Sequence, residues 1–230
     1  MSATSTSPFW NRLEQRIAPF NLLTHPFYQA WTRGELTPGD LSQYAAEYWH
    51  HVSAFPTYLS ALHSRLPDGP LRREVLRNLS DEEGTDTASG RPHSDLWMDF
   101  ANGMGASRKD VTAHATQPEM QQLIATFREL MQEAPAAALA ALYAYESRVP
   151  AISAEKAIGL RDLYGATPDT TRYFTLHQTA DVHHAQVWRD LMDQQLAADP
   201  ASEAAALDAA ERAARALWSA LDGIERTRLN

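Results

Sequence analysis

Apolar residues recur at three- and four-residue intervals along most of the chain, which is the period of an amphipathic α-helix. Phe9, Leu13 and Ile17 show this spacing near the start. No stretch shows the period-two alternation that is typical of a half-buried strand. Alanine clusters at residues 136–141 and 204–213 favour helix and allow helices to approach closely. The pattern therefore predicts an all-α protein.

Proline and glycine residues mark the predicted helix boundaries, because proline is favoured in the first helical turn and glycine just past the last one. The predicted helices span residues 8–23, 26–34, 38–66, 70–84, 92–100, 118–131, 135–149, 151–164, 168–196 and 202–224. Pro56 lies inside the third helix, where it can bend it. We expect a single-domain bundle of about eight to ten helices over residues 8–230. Residues 1–7 are expected to form a disordered polar tail.

Composition narrows the possible functions. The chain has 230 residues, 44% of them apolar, with a formal charge of −9, which argues against non-specific nucleic-acid binding. Since it contains neither a long apolar stretch nor a signal-like N-terminus, we expect no membrane span and a cytoplasmic location. Cysteine is absent, which excludes disulfides, thiolate nucleophiles and cysteine-bound zinc. Any metal site must use His, Asp and Glu, a donor set that suits iron, manganese or zinc.

Lysine is unusually rare in this sequence. Only Lys109 and Lys156 are lysines among 20 basic residues. Arginine cannot lose its proton in a protein, whereas a buried lysine can. A retained lysine can therefore mark a place where a neutral amine is needed, although two surface lysines are an equally simple interpretation.

The strongest chemical motif is His177, Asp181 and His184 at positions i, i+4 and i+7 of a predicted helix. At about 100° per residue, the three side chains fall within roughly 40° of one another on one face. Two imidazoles and a carboxylate on one stripe form half of a metal site. The adjacent His183 points away from this stripe.

Further ligands are predicted on other helices. Glu146 lies in an apolar Ala/Leu/Tyr segment, where a buried carboxylate needs a partner. Glu82 lies at a helix end, and the glycines and proline that follow it allow His93 to fold back beside it. The predicted site is a non-haem dimetal centre in a helical bundle. Its six ligands are Glu82, His93, Glu146, His177, Asp181 and His184.

A rival ligand set begins at Glu47 and His50, which have the Glu-x-x-His spacing of di-iron bundles, with His51 adjacent. The second Glu-x-x-His motif of such bundles is missing, so His51 is also a candidate for lining the pocket. His25, His63 and His114 are interpreted as surface or packing residues.

Several blocks of sequence resemble the CADD-type proteins, named for the chlamydial protein associating with death domains. The blocks are HPFYQAW at 25–31, GELT at 34–37, AFPTYLSALHSR at 54–65, NLSDEE at 78–83, HSDLW at 93–97, ALYAYES at 141–147 and ADVHHA at 180–185. They occur in family order, and the resemblance covers roughly residues 9 to 195. One departure is a longer connection between Glu82 and His93, with residues 85–89 inserted relative to chlamydial members.

The resemblance implies a haem-oxygenase-like (TenA/PqqC-like) dimetal oxidase that makes p-aminobenzoate for folate biosynthesis. It implies an Fe/Fe or Mn/Fe centre, O2 and an external reductant, with the six ligands named above. The implied substrate is the protein itself: Tyr28 supplies the aromatic ring and Lys156 the amino nitrogen. Tyr44, Tyr145 and Tyr173 match other pocket tyrosines of the family, although aromatic core packing explains them equally well.

Two other functions remain open on the sequence. One is a dimetal oxygenase that turns over many times on a separate small substrate. The other is a non-enzymatic interaction module, for which death-domain binding is implied only by the family name. A symmetric homodimer is the default expectation for this fold.

Overall fold

A computed structural model describes residues 7–85 and 90–230 of the chain. Its eleven α-helices in these ranges are α1 (Pro8–Ile17), α2 (Pro26–Thr32), α3 (Pro38–Arg65), α4 (Pro70–Glu82), α5 (His93–Gly103), α6 (Arg108–Ala113), α7 (Pro118–Leu130), α8 (Pro135–Glu146), α9 (Val149–Leu163), α10 (Pro168–Ala198) and α11 (Glu203–Arg228). Three 3-10 turns, Ala18–Phe20, Leu22–Thr24 and Pro200–Ser202, join some of them. The described ranges contain no strand. The all-α prediction is confirmed.

The helix starts follow local sequence chemistry. Proline occupies the first turn of several helices, including α1, α4, α8 and α10. Thr37 and Asp40 form a reciprocal capping box at the start of α3, so two backbone N–H groups that lack helical partners are satisfied. α3 continues through Pro56 to Arg65. The predicted bend site therefore does not end the helix.

The observed helix ends lie within four residues of the predicted ones, with two larger differences. α1 ends at Ile17, and the chain continues as 3-10 turns instead of α-helix to residue 23. Asn21 explains part of this, since its side chain accepts a hydrogen bond from the Leu23 N–H and starts a new turn. α6 was not predicted, although Ser107 and Asp110 form a second capping box at its start. The predicted tail falls mainly on residues 1–6, which lie outside the described residues.

α8 is the central helix of the bundle. Its residues from Ala136 to Ala144 are all buried. α11 packs along α8 and α7, and α10 packs along α9, α8 and α5. Buried alanines on α11, such as Ala206, Ala210 and Ala213, face this packing, and small side chains let the helix axes approach closely. A continuous core includes residues from Phe9 to Ile224.

α3, α4, α5 and α10 bring polar groups into this apolar frame. α3 packs on α4 and α5, while α10 contacts α5 and, at fewer points, α4. α10 also runs beside α8, so it lies next to all three of the helices α4, α5 and α8. No helix within the described ranges has both the length and the apolar character required to cross a bilayer.

Candidate metal centre

Two clusters of potential metal ligands lie inside the bundle. The first cluster is Glu82, His93 and His177, and the second cluster is Glu146, Asp181 and His184. Within each cluster, one ligand atom from each residue lies within 4.8 Å of the others, and all six residues are buried. The structure thus brings together all six residues that the sequence predicted as ligands.

α10 contributes to both clusters. His177 belongs to the first cluster, whereas Asp181 and His184, one and two turns further along the helix, belong to the second. The His93 ring at the start of α5 lies 4.6 Å from the His177 ring, centroid to centroid. Glu82, Glu146, His177 and Asp181 line a common small cavity, so the two clusters share one interior space.

Hydrogen bonds from outside the clusters orient their side chains. His177 Nδ1 lies 2.6 Å from the Tyr173 carbonyl oxygen, so it must donate its proton there and leave Nε2 as the free lone pair. His184 Nε2 lies 3.2 Å from Asp81 Oδ2, which leaves His184 Nδ1 facing the second cluster. Such partners fix the ring orientation and tautomer of metal-binding histidines.

Glu146 is held from two sides. Its Oε1 accepts a hydrogen bond from Asn78 Nδ2 at 2.9 Å, and its Oε2 accepts one from Trp188 Nε1. Its remaining acceptor capacity faces the second cluster, where His184 Nδ1 lies 3.8 Å from Oε1. This carboxylate is therefore positioned before any ion binds.

The electrostatics of the clusters fit a cation. Burial raises the pKa of Glu146 to about 8. Burial lowers the pKa of His184, but the neighbouring carboxylates of Asp181 and Glu146 outweigh this and raise it to about 10. Without an ion, the second cluster thus retains protons at neutral pH. A bound metal would replace them, since metal ligands must be deprotonated.

In the first cluster, burial and neighbouring charges again oppose each other, but the outcome for the carboxylate is the reverse. Burial raises the pKa of Glu82, but the neighbouring His93 outweighs this and the net pKa is lowered. Burial lowers the pKa of His177. His93 Nδ1 lies 3.0 Å from Glu82 Oε2, yet His93 Nδ1 and His184 Nδ1 are both buried without a well-aligned hydrogen-bond partner. Buried imidazole nitrogens beside carboxylates are donors that suit iron or manganese, so the residues fit a dimetal centre.

Next to the two ligand clusters, the Lys156 side chain on α9 is buried together with the hydroxyl groups of two tyrosines. Its Nζ is 2.7 Å from the Tyr28 hydroxyl oxygen and also contacts the Tyr44 hydroxyl, and these two hydroxyls are 3.2 Å apart. The amine lies 4.2 Å from the Tyr28 ring centroid and 4.6 Å from that of Tyr44. Burial lowers the pKa of Lys156 well below its usual value, which favours a neutral amine.

Tyr145 and Tyr173 lie between the ligand clusters and Lys156. Both line the cavity beside the clusters and also the cavity beside Lys156 and Tyr28. The Tyr173 ring lies 4.1 Å from the His177 ring, centroid to centroid. Burial raises the pKa of both tyrosines well above the usual value, so both are protonated phenols at neutral pH.

The rival ligand set does not assemble. Glu47 accepts a hydrogen bond from the Gln117 backbone N–H at 2.9 Å and lies 2.6 Å from His114 Nε2, so its two oxygens hold the start of α7. His51 points into an aromatic cluster, 5.2 Å from the Tyr145 ring. Packing thus gives Glu47 structural partners in the connection between α6 and α7.

Sequence reasoning missed three residues that orient the ligands, which are Asn78, Asp81 and Trp188. A signal was available on α4, since Asp81 precedes Glu82 directly and Asn78 lies one turn before it. Trp188 lies four residues after His184 on α10, the helical distance at which side chains share a face. Tyr48 was also missed, and its ring stacks on that of Tyr44 at 5.5 Å.

Known proteins share this architecture. A sequence profile described as iron-containing redox enzyme matches residues 42–218. The chain belongs to that family. The structure is also similar to a TenA homologue from Pseudomonas syringae, with a TM-score of 0.82, 19% identity and coverage of 98% of this chain and 96% of that one. A CADD-like protein of unknown function from Nostoc punctiforme gives a TM-score of 0.73 at 16% identity, covering 96% and 97% of the two chains. These likenesses show the haem-oxygenase-like fold.

Sequence relatives place the chain more narrowly within the iron-containing redox enzymes. It is 42% identical to a protein named 4-aminobenzoate synthase from Nitrosomonas europaea, over 96% of this chain and 92% of the relative. It is 39% identical to a protein of the same name from Chlamydia trachomatis, over 93% and 90% of the two chains. The predicted membership of the CADD-type family is confirmed. This family member is an oxidoreductase, and its paired ligand clusters support a dimetal centre.

Proposed function

We propose that this protein is an O2-dependent dimetal oxidase that makes p-aminobenzoate, a folate precursor, from its own Tyr28 and Lys156. The observation that carries the proposal is the 2.7 Å contact between Lys156 Nζ and the Tyr28 hydroxyl inside an aromatic pocket. The relatives named 4-aminobenzoate synthase support the same product. Glu82, His93 and His177 would hold one ion, and Glu146, Asp181 and His184 the other.

The chemistry of the product explains why this contact matters. In p-aminobenzoate the nitrogen is para to the carboxyl carbon, as the hydroxyl of tyrosine is para to Cβ. Lys156 Nζ therefore lies beside the position at which nitrogen must replace oxygen. Once O2 has served to oxidise the phenol, a neutral amine can use its lone pair to attack the ring carbon that bears the oxygen, and that oxygen leaves as water. A protonated lysine lacks this lone pair.

The chain's own residues set up this pocket. Two bound ions, as Fe/Fe or Mn/Fe, would supply the site at which O2 is reduced with electrons from an external reductant. Tyr145 and Tyr173 occupy the space between the ligand clusters and Lys156, where phenol groups can pass a proton or an electron. Tyr44 hydrogen-bonds with both Tyr28 and Lys156 and holds them in register. Since the Lys156 amine lies among the rings of Tyr28, Trp31, Tyr44, Tyr48 and Phe174, water has little access to it.

Isotope labelling tests the proposal directly. Protein carrying ¹³C-tyrosine and ¹⁵N-lysine is loaded with Fe(II) and Mn(II) and exposed to O2 and dithionite-reduced flavin. Mass spectrometry then measures the label in p-aminobenzoate and the yield per chain. We expect both labels in the product and at most about one product per chain, because a consumed side chain cannot act twice.

Matched variants identify the atoms' source. Tyr28→Phe and Lys156→Arg are expected to abolish the product while retaining metal. Lys109→Arg removes the other lysine of the chain and is expected to leave the yield unchanged. Unlabelled product formed many times per chain from an added compound would instead establish the separate-substrate oxygenase. A protein that binds no stoichiometric metal would overturn the oxidase proposal altogether.

A further inference from the structure

The connection between α4 and α5 joins two ligands of the first cluster. Glu82 is the last residue of α4, and His93 is the first residue of α5. The connection is longer than the resemblance to chlamydial proteins predicts, so some feature must return the chain to the correct place. Gly84 and the segment Arg91–Pro92 provide that feature.

Gly84 ends α4 in a left-handed conformation. Its φ angle is +71°, and its N–H donates to the Asp81 carbonyl at 3.0 Å, while the Thr85 N–H donates to the Ser80 carbonyl at 2.9 Å. These two bonds form a Schellman motif, in which glycine is favoured because it has no Cβ. α4 therefore stops directly after Glu82 and Glu83.

The returning chain passes directly over Gly84. A Cβ atom at Gly84 would lie 2.3 Å from the Arg91 carbonyl carbon and 2.7 Å from the Pro92 nitrogen. Both are backbone atoms, which cannot rotate away as a side chain can. The close approach thus requires glycine at this position, independently of its φ angle.

The Arg91 side chain ties the segment that packs on Gly84 to α5. Its guanidinium donates to Asp99 Oδ2 at 2.7 Å, on the second turn of α5. The next residue after Pro92 is His93, whose Nδ1 lies 3.0 Å from Glu82 Oε2. The crossing at Gly84 and the anchor at Asp99 together fix where α5 begins, and this sets the separation of the two ligands.

We infer that Gly84 is a positioning residue that brings His93 to Glu82 and so completes the first metal cluster in spite of the lengthened connection. This inference rests on the proposed dimetal function. The second cluster draws its ligands from α8 and α10, so it does not depend on the crossing. A side chain at Gly84 should therefore remove one metal site and leave the other.

Gly90 provides a matched control. It lies in the same connection and also has a positive φ angle, of +58°, but a Cβ there would meet no atom of the described residues within 4 Å. Gly90→Ala therefore carries the strain of a left-handed alanine without the overlap. Gly84→Asn provides the reverse comparison, since asparagine tolerates the left-handed conformation but still has a Cβ.

The experiment titrates each metal-free protein with Mn(II) and, separately, with Fe(II) under nitrogen. Bound metal per chain is counted by plasma mass spectrometry after gel filtration, and far-UV circular dichroism checks the helix content. The unchanged protein and Gly90→Ala are expected to bind about two ions, as a two-metal site does. Gly84→Ala and Gly84→Asn are expected to bind one ion tightly and the other at least about tenfold more weakly. Adding His184→Ala to Gly84→Ala should remove the remaining tight ion.

Arg91→Met covers the case in which neither Gly84 variant folds, because it loosens the anchor without introducing an overlap. It is expected to weaken one ion about tenfold. Arg108→Met is the control: it removes an exposed ion pair to Asp95, which lies on α5 like Asp99, and it should leave the affinity for both ions unchanged. Two ions bound with unchanged affinity in Gly84→Ala, or equal effects of Arg91→Met and Arg108→Met, would overturn the inference. Absence of metal from the unchanged protein would instead overturn the proposed function.

Discussion

Replacing Lys156 with methionine should make the metal-free protein more stable at neutral pH. Methionine is unbranched and apolar and fits the space of the lysine stem. The Lys156 amine is surrounded by aromatic rings, and burial lowers its pKa well below the usual value. Folding must therefore remove a proton from this amine, which opposes folding at neutral pH. The variant has no such proton to remove.

The pH dependence of stability sets the size of the difference expected between Lys156→Met and the unchanged protein. In the unfolded chain lysine has a pKa of about 10.4. Between the lowered pKa in the folded state and this value, the unfolded chain holds one more proton, so stability rises with pH. One proton changes the free energy of unfolding by at most about 1.4 kcal/mol per pH unit. The advantage of Lys156→Met should shrink at this rate as the pH rises. Loss of the amine's hydrogen bond to Tyr28 offsets it by about 1 kcal/mol.

Guanidinium unfolding, followed by circular dichroism from about pH 7.5 to about pH 9.5, measures this difference. Glu146 and His184 also titrate in or near this range, but they are present in both proteins, so their contributions cancel in the difference. Lys109→Met is the control, because Lys109 is exposed. If the Lys156→Met and unchanged proteins differ by a constant amount at every pH, the amine keeps its ordinary pKa in the fold and the argument for a neutral nucleophile fails.

Three further predictions concern a contact that orients a ligand, a close helix contact and the removal of metal. Asp81→Asn should weaken the binding of one Mn(II) ion about 10- to 100-fold, because Asp81 fixes the orientation of the His184 ring. Glu83→Gln, at an exposed neighbouring position, should leave Mn(II) binding unchanged, and equal affinities in the two variants would contradict this role of Asp81. Gly159→Ala should lower the free energy of unfolding by about 1 to 3 kcal/mol, since the alanine Cβ would lie 2.7 Å from Trp31 Nε1. An unchanged denaturation midpoint would show that the Trp31 ring can move away from the added methyl group. Removing metal with a chelator should lower the melting temperature, because an ion at a free concentration of about 100 times its Kd stabilises the fold by about 2.7 kcal/mol. A melting temperature that does not change with chelator would exclude tight metal binding.

The predictable part of the site was the part held by one helix or marked by composition. His177, Asp181 and His184 share a helical face, and the period of the helix alone places them together. Glu146 was identifiable because a carboxylate in an apolar segment needs a partner. His93 required knowledge of a chain reversal, and the backbone conformation at Gly84 depends on what passes over it in three dimensions.

Other features were not accessible from sequence pattern. α6 has only six residues, too short for a clear hydrophobic period, although its capping box was visible. Glu47 and His50 had a plausible metal-binding spacing, but the partner of Glu47 is His114, 67 positions further along the chain. Spacing within one helix does not say which other helix will face it. Tertiary packing decided between the two ligand sets.

The placement of both clusters on α10 has a kinetic consequence. His177 and His184 are seven residues apart, which is about 10 Å along a helix. Two ions bound there would tie two successive turns of α10 to α4, α5 and α8, as a pair of non-covalent crosslinks. Neither turn can then open by itself, since each opening must break bonds to an ion. The loaded protein should consequently release its metals slowly, and the amide protons of residues 177–184 should exchange with solvent only when this whole segment of α10 detaches.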